Sequence, residues 1–122
     1  VTLRILAVDD SLTMREMLRQ TLTEAGFDVV LAIDGVDALD RLPDADPDLI
    51  LTDLNMPNMD GFGLIDAVRK GDLATRVPIL VLTTESAATL KDRARAAGAT
   101  GWITKPFDEV SLVSTIRRVA AV

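Results

Sequence analysis

The sequence predicts an open, doubly wound α/β fold: a five-stranded parallel sheet with five helices divided between its two faces. Three observations lead there. Five short apolar runs alternate with five stretches of helical spacing. The runs are continuous rather than alternating, as in strands buried on both faces of a parallel sheet. The chain has 122 residues, enough for one domain over 1–122, whereas a closed eight-unit barrel takes about twice that length.

Residues 3–8 form the first apolar run and end on Asp9, Asp10 and Ser11. Met14, Leu18, Leu22 and Ala25 then recur at helical spacing, with Ser11 as N-cap and Gly26 as stop. Residues 28–32 read as the second strand. A helix over 35–42 follows, ended by Pro43, and the acidic, proline-bearing stretch 43–48 reads as a surface loop. Residues 49–52 make the third strand, which Asp53 terminates. The stretch 55–61 holds Pro57 and Gly61 and is predicted irregular. Residues 62–70 are helical, with Gly71 beyond them. Residues 78–82 are the fourth strand, ended by Thr83 and Thr84. The helix predicted over 86–97, stopped by Gly98, is rich in Ala and poor in large apolar anchors, which makes it the candidate mobile element. Trp102 and Ile103 mark a short fifth strand, followed by Lys105 and Pro106. Asp108 can cap a last helix carrying Leu112, Val113, Ile116 and Val119.

Composition narrows the chemistry. Hydrophobic residues make up 48% of the chain and aromatics only 3%, so the core is mostly aliphatic. Cys and His are both absent. Disulfides, thiolate metal sites, zinc sites and imidazole catalysis within the chain are thereby excluded. A net charge of -6 argues against nucleic-acid binding. No apolar run is long enough to span a bilayer, and no signal peptide is visible. These features suit a cytoplasmic protein whose polar chemistry rests on carboxylates and hard cations. A start at Val1 rather than Met suggests processing or a trimmed chain.

In an open parallel sheet, sites form at the carboxyl ends of the strands, where the strand order reverses. Asp9 and Asp10 follow the first strand, Asp53 the third, Thr83 the fourth and Lys105 the fifth. Any one of these is ordinary: a solvated acidic pair, a helix cap, a strand Thr, a surface Lys. Gathered on one edge they are not. Two like charges about 4 Å apart cost on the order of 4 kcal/mol at an effective dielectric of 20, so such a cluster calls for a cation. Without His or Cys, oxygen ligands favour Mg²⁺, with Mn²⁺ or Ca²⁺ as alternatives. Lys105 adds a second positive charge and Thr83 a hydroxyl donor. The set forms a receptacle for a phosphoryl group, and one carboxylate can act as nucleophile to give an acyl phosphate.

Asp9-Asp10, the segment 53–57 (DLNMP) with Asp60-Gly61, Thr83-Thr84-Glu85 and Lys105-Pro106-Phe107 resemble response-regulator receiver domains. The resemblance covers nearly the whole chain, in order. The stretch 82–85 followed by 98–102 looks most like the CheY-like chemotaxis branch. The resemblance implies the strand order 2-1-3-4-5 and assigns roles. Asp53 would be the phosphoacceptor, served by a phospho-His on a partner histidine kinase. Asp10, Asp53 and the Asn55 backbone carbonyl would bind Mg²⁺, while Asp9 would hold metal-bound water or pair with Lys105. Thr83 would move to the phosphoryl oxygens, and Lys105 would contact them, with a cis peptide between Lys105 and Pro106. Trp102 stands at the aromatic switch position, where the family more often has Tyr or Phe. Asn55 and Glu85 stand where the family tunes phosphate loss. A monomer that controls a flagellar motor switch protein is the implied output, with no catalysis beyond the chain's own phosphorylation and dephosphorylation.

Two other outputs fit the same site: a phosphate sink that engages no motor, and a receiver trimmed from a longer regulator with a different target. A Mg²⁺-dependent phosphatase of the haloacid-dehalogenase type would need an Asp two residues after the nucleophile, where this chain has Asn55. A flavodoxin-like cofactor binder would need a hydroxyl- and Gly-rich loop after the first strand, where this chain has Asp9 and Asp10.

Overall fold

The computed structural model describes residues 2–72 and 76–120. In chain order the elements are β1 (Arg4–Val8), α1 (Leu12–Glu24), β2 (Asp28–Ala32), α2 (Gly35–Ala45) and β3 (Leu49–Thr52). They continue with α3 (Gly61–Lys70), β4 (Ile79–Thr83), α4 (Ala88–Ala97), β5 (Gly101–Thr104) and α5 (Glu109–Val119). All strand pairs are parallel, and the sheet order is β2-β1-β3-β4-β5. The order reverses between β1 and β3, so the carboxyl ends of those two strands open onto a common crevice. No helix among the described residues is long and apolar enough to cross a membrane.

The period-2 alternation of each strand divides the core into two layers. Ile5, Ala7, Leu49, Leu51, Leu80 and Leu82 face α1 and α5, packing on Leu18, Leu22, Leu112 and Ile116. Leu6, Val8, Ile50, Ile79 and Val81 face the other way, onto α2, α3 and α4. Burying each Leu or Ile contributes about 1.5–3 kcal/mol, and β3 and β4 are buried at every position. The edge strands β2 and β5 are covered less completely.

Four helices begin on a side-chain cap. Ser11, Asp34, Asp60 and Asp108 accept the N–H of Met14, Asp37, Gly63 and Ser111. The helix α4 begins on Ala87 with no such bond.

The structure shifts several boundaries. Helix α3 takes in Gly61 rather than starting at 62, and the fourth strand runs over 79–83, Thr83 included, rather than 78–82. Pro43 does not end α2, and 43–48 is not wholly a surface loop. Pro43 lies inside the helix, which runs one turn further to Ala45. That turn seats Ala45 in the core, where it is 4% exposed. Asp46, in the left-handed region at φ 41°, then closes the helix with its N–H on Leu42 O. Helix α4 starts at Ala88 rather than at 86. The Glu85 carbonyl, which a helix from 86 would use for its first bond, accepts the Trp102 indole N–H instead. The first strand starts at Arg4, and Leu3 lies just outside it, its carbonyl accepting the Asp28 N–H.

Candidate functional site

Strand register assembles the site. Val8 pairs with Thr52, so the next residues, Asp9 and Asp53, emerge side by side across the crevice. Thr83 pairs with Thr104, which brings Lys105 to the same edge. The carboxylate oxygens of Asp9, Asp10 and Asp53 come within 4.8 Å of one another. Asp9 is buried at 1% exposure, Asp53 is half-buried and Asp10 is exposed. The cluster is thus graded from the sheet interior to solvent.

Lys105 closes the inner side. Its Nζ donates to Asp9 Oδ2 at 2.6 Å and to Asp53 Oδ2 at 3.0 Å. Burial pulls the pKa of this ammonium down, but the hydrogen bonds and charges of Asp9 and Asp53 outweigh it and hold the pKa above its ordinary value. The Lys105–Pro106 peptide is cis. One ammonium does not balance three carboxylates. The excess negative charge faces the exposed side, where Asp10 stands, and a donor set made only of oxygens suits a hard divalent cation such as Mg²⁺.

Backbone donors orient the carboxylates. The Ser11 N–H reaches Asp9 Oδ1 at 2.9 Å, and the Leu54 N–H reaches Asp53 Oδ1 at 2.7 Å. Arg15 Nη1 donates to the Asp9 carbonyl at 2.9 Å, which ties the first turns of α1 to the end of β1. Gly61 is required beside Asp53. A Cβ there would collide with the Asp53 carbonyl, and the Gly61 N–H bonds Leu54 O at 2.9 Å.

The remaining expected residues meet at Glu85. Thr83 is fully buried, and its Oγ1 accepts the Glu85 N–H at 3.4 Å. Asn55 Nδ2 donates to Glu85 Oε1 at 3.2 Å. The half-buried Trp102 packs against the core layer on the α4 side, and its Nε1 donates to the Glu85 carbonyl at 3.1 Å. The β4–α4 loop is therefore tied to the β3–α3 loop by the Glu85 side chain and to β5 by its backbone.

Sequence reasoning did not single out Arg15, Asp34 or Asn58. Asp34, 4% exposed, caps α2 and accepts Asn58 Nδ2 at 2.7 Å. The Asp34-Gly35 step carries a helix-start signal, but nothing in the sequence indicates a bond to a residue 24 positions away.

The profile of the response regulator receiver domain matches residues 5–117. This chain belongs to the response-regulator receiver family. The chemotaxis protein CheY1 of Helicobacter pylori is 39% identical to this receiver over 107 residues, covering 86% of each chain. The chemotaxis protein CheY4 of Vibrio cholerae superposes with a TM-score of 0.93 at 44% identity, covering 98% of this chain and 99% of that one. The receiver domain of the sensor histidine kinase PA1611 from Pseudomonas aeruginosa, whose structure has a magnesium ion coordinated in the active site cleft, matches at a TM-score of 0.90 and 26% identity, with both chains covered in full. The receiver is a signalling module of two-component systems, with chemotaxis proteins among its relatives.

Proposed function

We propose that this receiver takes a phosphoryl group onto Asp53 from the phospho-His of a histidine kinase, with Mg²⁺ held by Asp10, Asp53 and the Asn55 carbonyl. The observation that carries the reading is the position of Lys105, hydrogen-bonded to Asp53 and Asp9 within a cluster of three carboxylates. In the transfer, an Asp53 carboxylate oxygen forms the new bond to phosphorus as the P–N bond breaks. The electron pair stays on the imidazole nitrogen, which takes up a proton. Bound Mg²⁺, or Mn²⁺ in its place, supplies charge neutralisation for the phosphoryl oxygens. Lys105 can pivot from the Asp53 oxygen to a phosphoryl oxygen while keeping Asp9, which holds it in place. Asp9 acts through Lys105 and through water.

The Thr83 hydroxyl is the donor expected to turn toward the phosphoryl group. Glu85, bonded to both Thr83 and Trp102, links that movement to β5 and α4. Asn55 and Glu85 border the acceptor and set access for the water that removes the phosphate. The output we propose is control of a flagellar motor switch protein in the cytoplasm by a monomeric receiver, in keeping with its likeness to the two chemotaxis proteins.

Acetyl phosphate with Mg²⁺ is expected to label the wild-type chain and to leave Asp53→Asn unlabelled, measured by intact mass. Full labelling of Asp53→Asn overturns the acceptor assignment. Tighter binding of a motor switch peptide by the phosphorylated chain is the expected sign of motor control. Equal affinity with and without phosphate favours a phosphate sink or another target.

A further inference from the structure

Asp34 is a buried carboxylate that the phosphoryl chemistry does not use. Its two oxygens face different parts of the chain. Oδ1 accepts the Asp37 N–H at 2.8 Å and caps α2, while Asp37 Oδ2 returns a bond to the Ile33 N–H at 2.9 Å. That reciprocal pair fixes the helix start. Oδ2 is left for Asn58, whose Nδ2 lies 2.7 Å away. The two bonds, first to Asp37 and then to Asn58, hold the Asp34 pKa below its ordinary value, so the acceptor is a charged one.

Asn58 belongs to the loop between Asp53 and α3, and its backbone sits at φ 67°, where Asn is tolerated better than most residues. The next residue completes the clasp. The Gly35 N–H donates to Met59 O at 3.1 Å, and a Cβ on Gly35 would lie 2.6 Å from Met59 Cγ. The loop thus lies flat against the start of α2. Its other anchor is the bond from Gly61 N–H to Leu54 O. Asn55 lies between Leu54 and the Asn58–Met59 clasp. On the far side, the Ala32 carbonyl accepts the Asp9 N–H at 3.1 Å, so the segment that carries Asp34 is also joined to the acidic cluster.

We infer that Asp34 and Asn58 form a positioning pair that sets the height of the Asn55 carbonyl over the acidic cluster and so tunes the affinity of the site for a divalent cation. The inference rests on the proposed Mg²⁺ site, but the clasp itself is testable without metal. Neither residue is among the proposed cation ligands. They act through the backbone of residues 55–59, as outer partners of a metal site do when they orient the groups that bind.

The test uses an exchange of the two side chains. Asn58→Asp puts two carboxylates in contact and opens the clasp. Asp34→Asn combined with Asn58→Asp restores the bond with donor and acceptor exchanged, and the Asn at 34 still caps α2. Calorimetric titration with Mg²⁺ is expected to show affinity weaker by on the order of tenfold for Asn58→Asp, and affinity within about twofold of wild type for the double exchange. The added charge of Asn58→Asp by itself would strengthen cation binding, so a loss reports the loop and not the charge. Asn58→Gly, which keeps the backbone freedom, is expected to weaken Mg²⁺ binding in the same direction.

Hydrogen exchange of the amides of residues 55, 56 and 58–60 is measured on the metal-free proteins in parallel. Faster exchange in Asn58→Asp and recovery in the double exchange are expected. Wild-type Mg²⁺ affinity in Asn58→Asp, or no recovery in the double exchange of an intact fold, overturns the positioning role. If the wild-type chain binds no Mg²⁺, the proposed cation site fails. Unchanged metal-free exchange across the variants then separately refutes the clasp.

Discussion

Helices α3 and α4 have the same length, ten residues, and cover the same face of the sheet, yet they are held in opposite ways. Helix α3 starts on the Asp60 cap and buries Gly61, Leu64, Ile65 and Val68. Helix α4 starts uncapped at Ala87 and buries only Ala94. Its remaining ties are peripheral. Arg93 stacks over the Phe62 ring of α3 at 4.0 Å, and Arg69 of α3 donates from Nε and Nη2 to the Gly98 carbonyl just past the end of α4. The C-terminal end of α4 is therefore pinned, while its N-terminal end is held through the loop carrying Glu85. The well-anchored helix follows Asp53, the proposed acceptor, and the sparsely anchored one follows Thr83. On the proposed function, a phosphoryl group needs a fixed receptacle and a movable reporter, and the two helices would divide that work.

The largest effect that tests this contrast is on stability. Leu64→Ala in α3 is expected to cost about 2–5 kcal/mol. Leu90→Ala on the half-buried side of α4 is expected to cost under about 2 kcal/mol, because its site is already partly open to water. Urea denaturation decides between them, and equal losses would break the distinction.

A smaller pair concerns the caps. Asp60→Ala should lower stability by about 1 kcal/mol, and Ala87→Ser, which installs a hydroxyl at the bare start of α4, should raise it by about 0.5–1 kcal/mol. The second variant sharpens the argument further. With Mg²⁺ and beryllofluoride, its Trp102 emission should change less than that of wild type, because a capped α4 resists movement. An undiminished response would mean that the start of α4 is not what moves.

The last effect is confined to alkali. The pKa of Lys105 is raised above 10.5 in the folded chain, so its contribution to stability is complete below that pH and fades as pH rises through the folded value. The stability difference between wild type and Lys105→Met should be constant from neutral pH to about pH 10.5 and shrink above it. A difference that persists unchanged into stronger alkali would show that the ammonium charge is not what stabilises the site.

Much of this was legible in the chain itself. Continuous apolar runs marked β3 and β4 because both their faces are buried, and Ser11 and Asp108 announced helix starts through local geometry. The residues at the strand ends, Asp9, Asp10, Asp53, Thr83 and Lys105, could be placed on one edge because a parallel sheet puts all such ends on the same side. Pro43 reads as a stop from its local penalty alone, whereas the last turn of α2 continues past it and seats Ala45 in the core. The start of α4 was misplaced because the partner of the Glu85 carbonyl is an indole from β5. Asp34 and Asn58 escaped notice because each is an ordinary turn residue until the other is beside it.

The sequence by itself determined the fold class and which residues stand at the strand ends, since hydrophobic period, caps and the absence of His and Cys are properties of short stretches and of composition. Only the tertiary structure decided which oxygen meets which proton: Lys105 between Asp9 and Asp53, Asn58 on Asp34, Trp102 on the Glu85 carbonyl. Those pairings join residues far apart in the chain, and hydrogen bonds depend on tenths of an ångström that only strand register and helix packing supply.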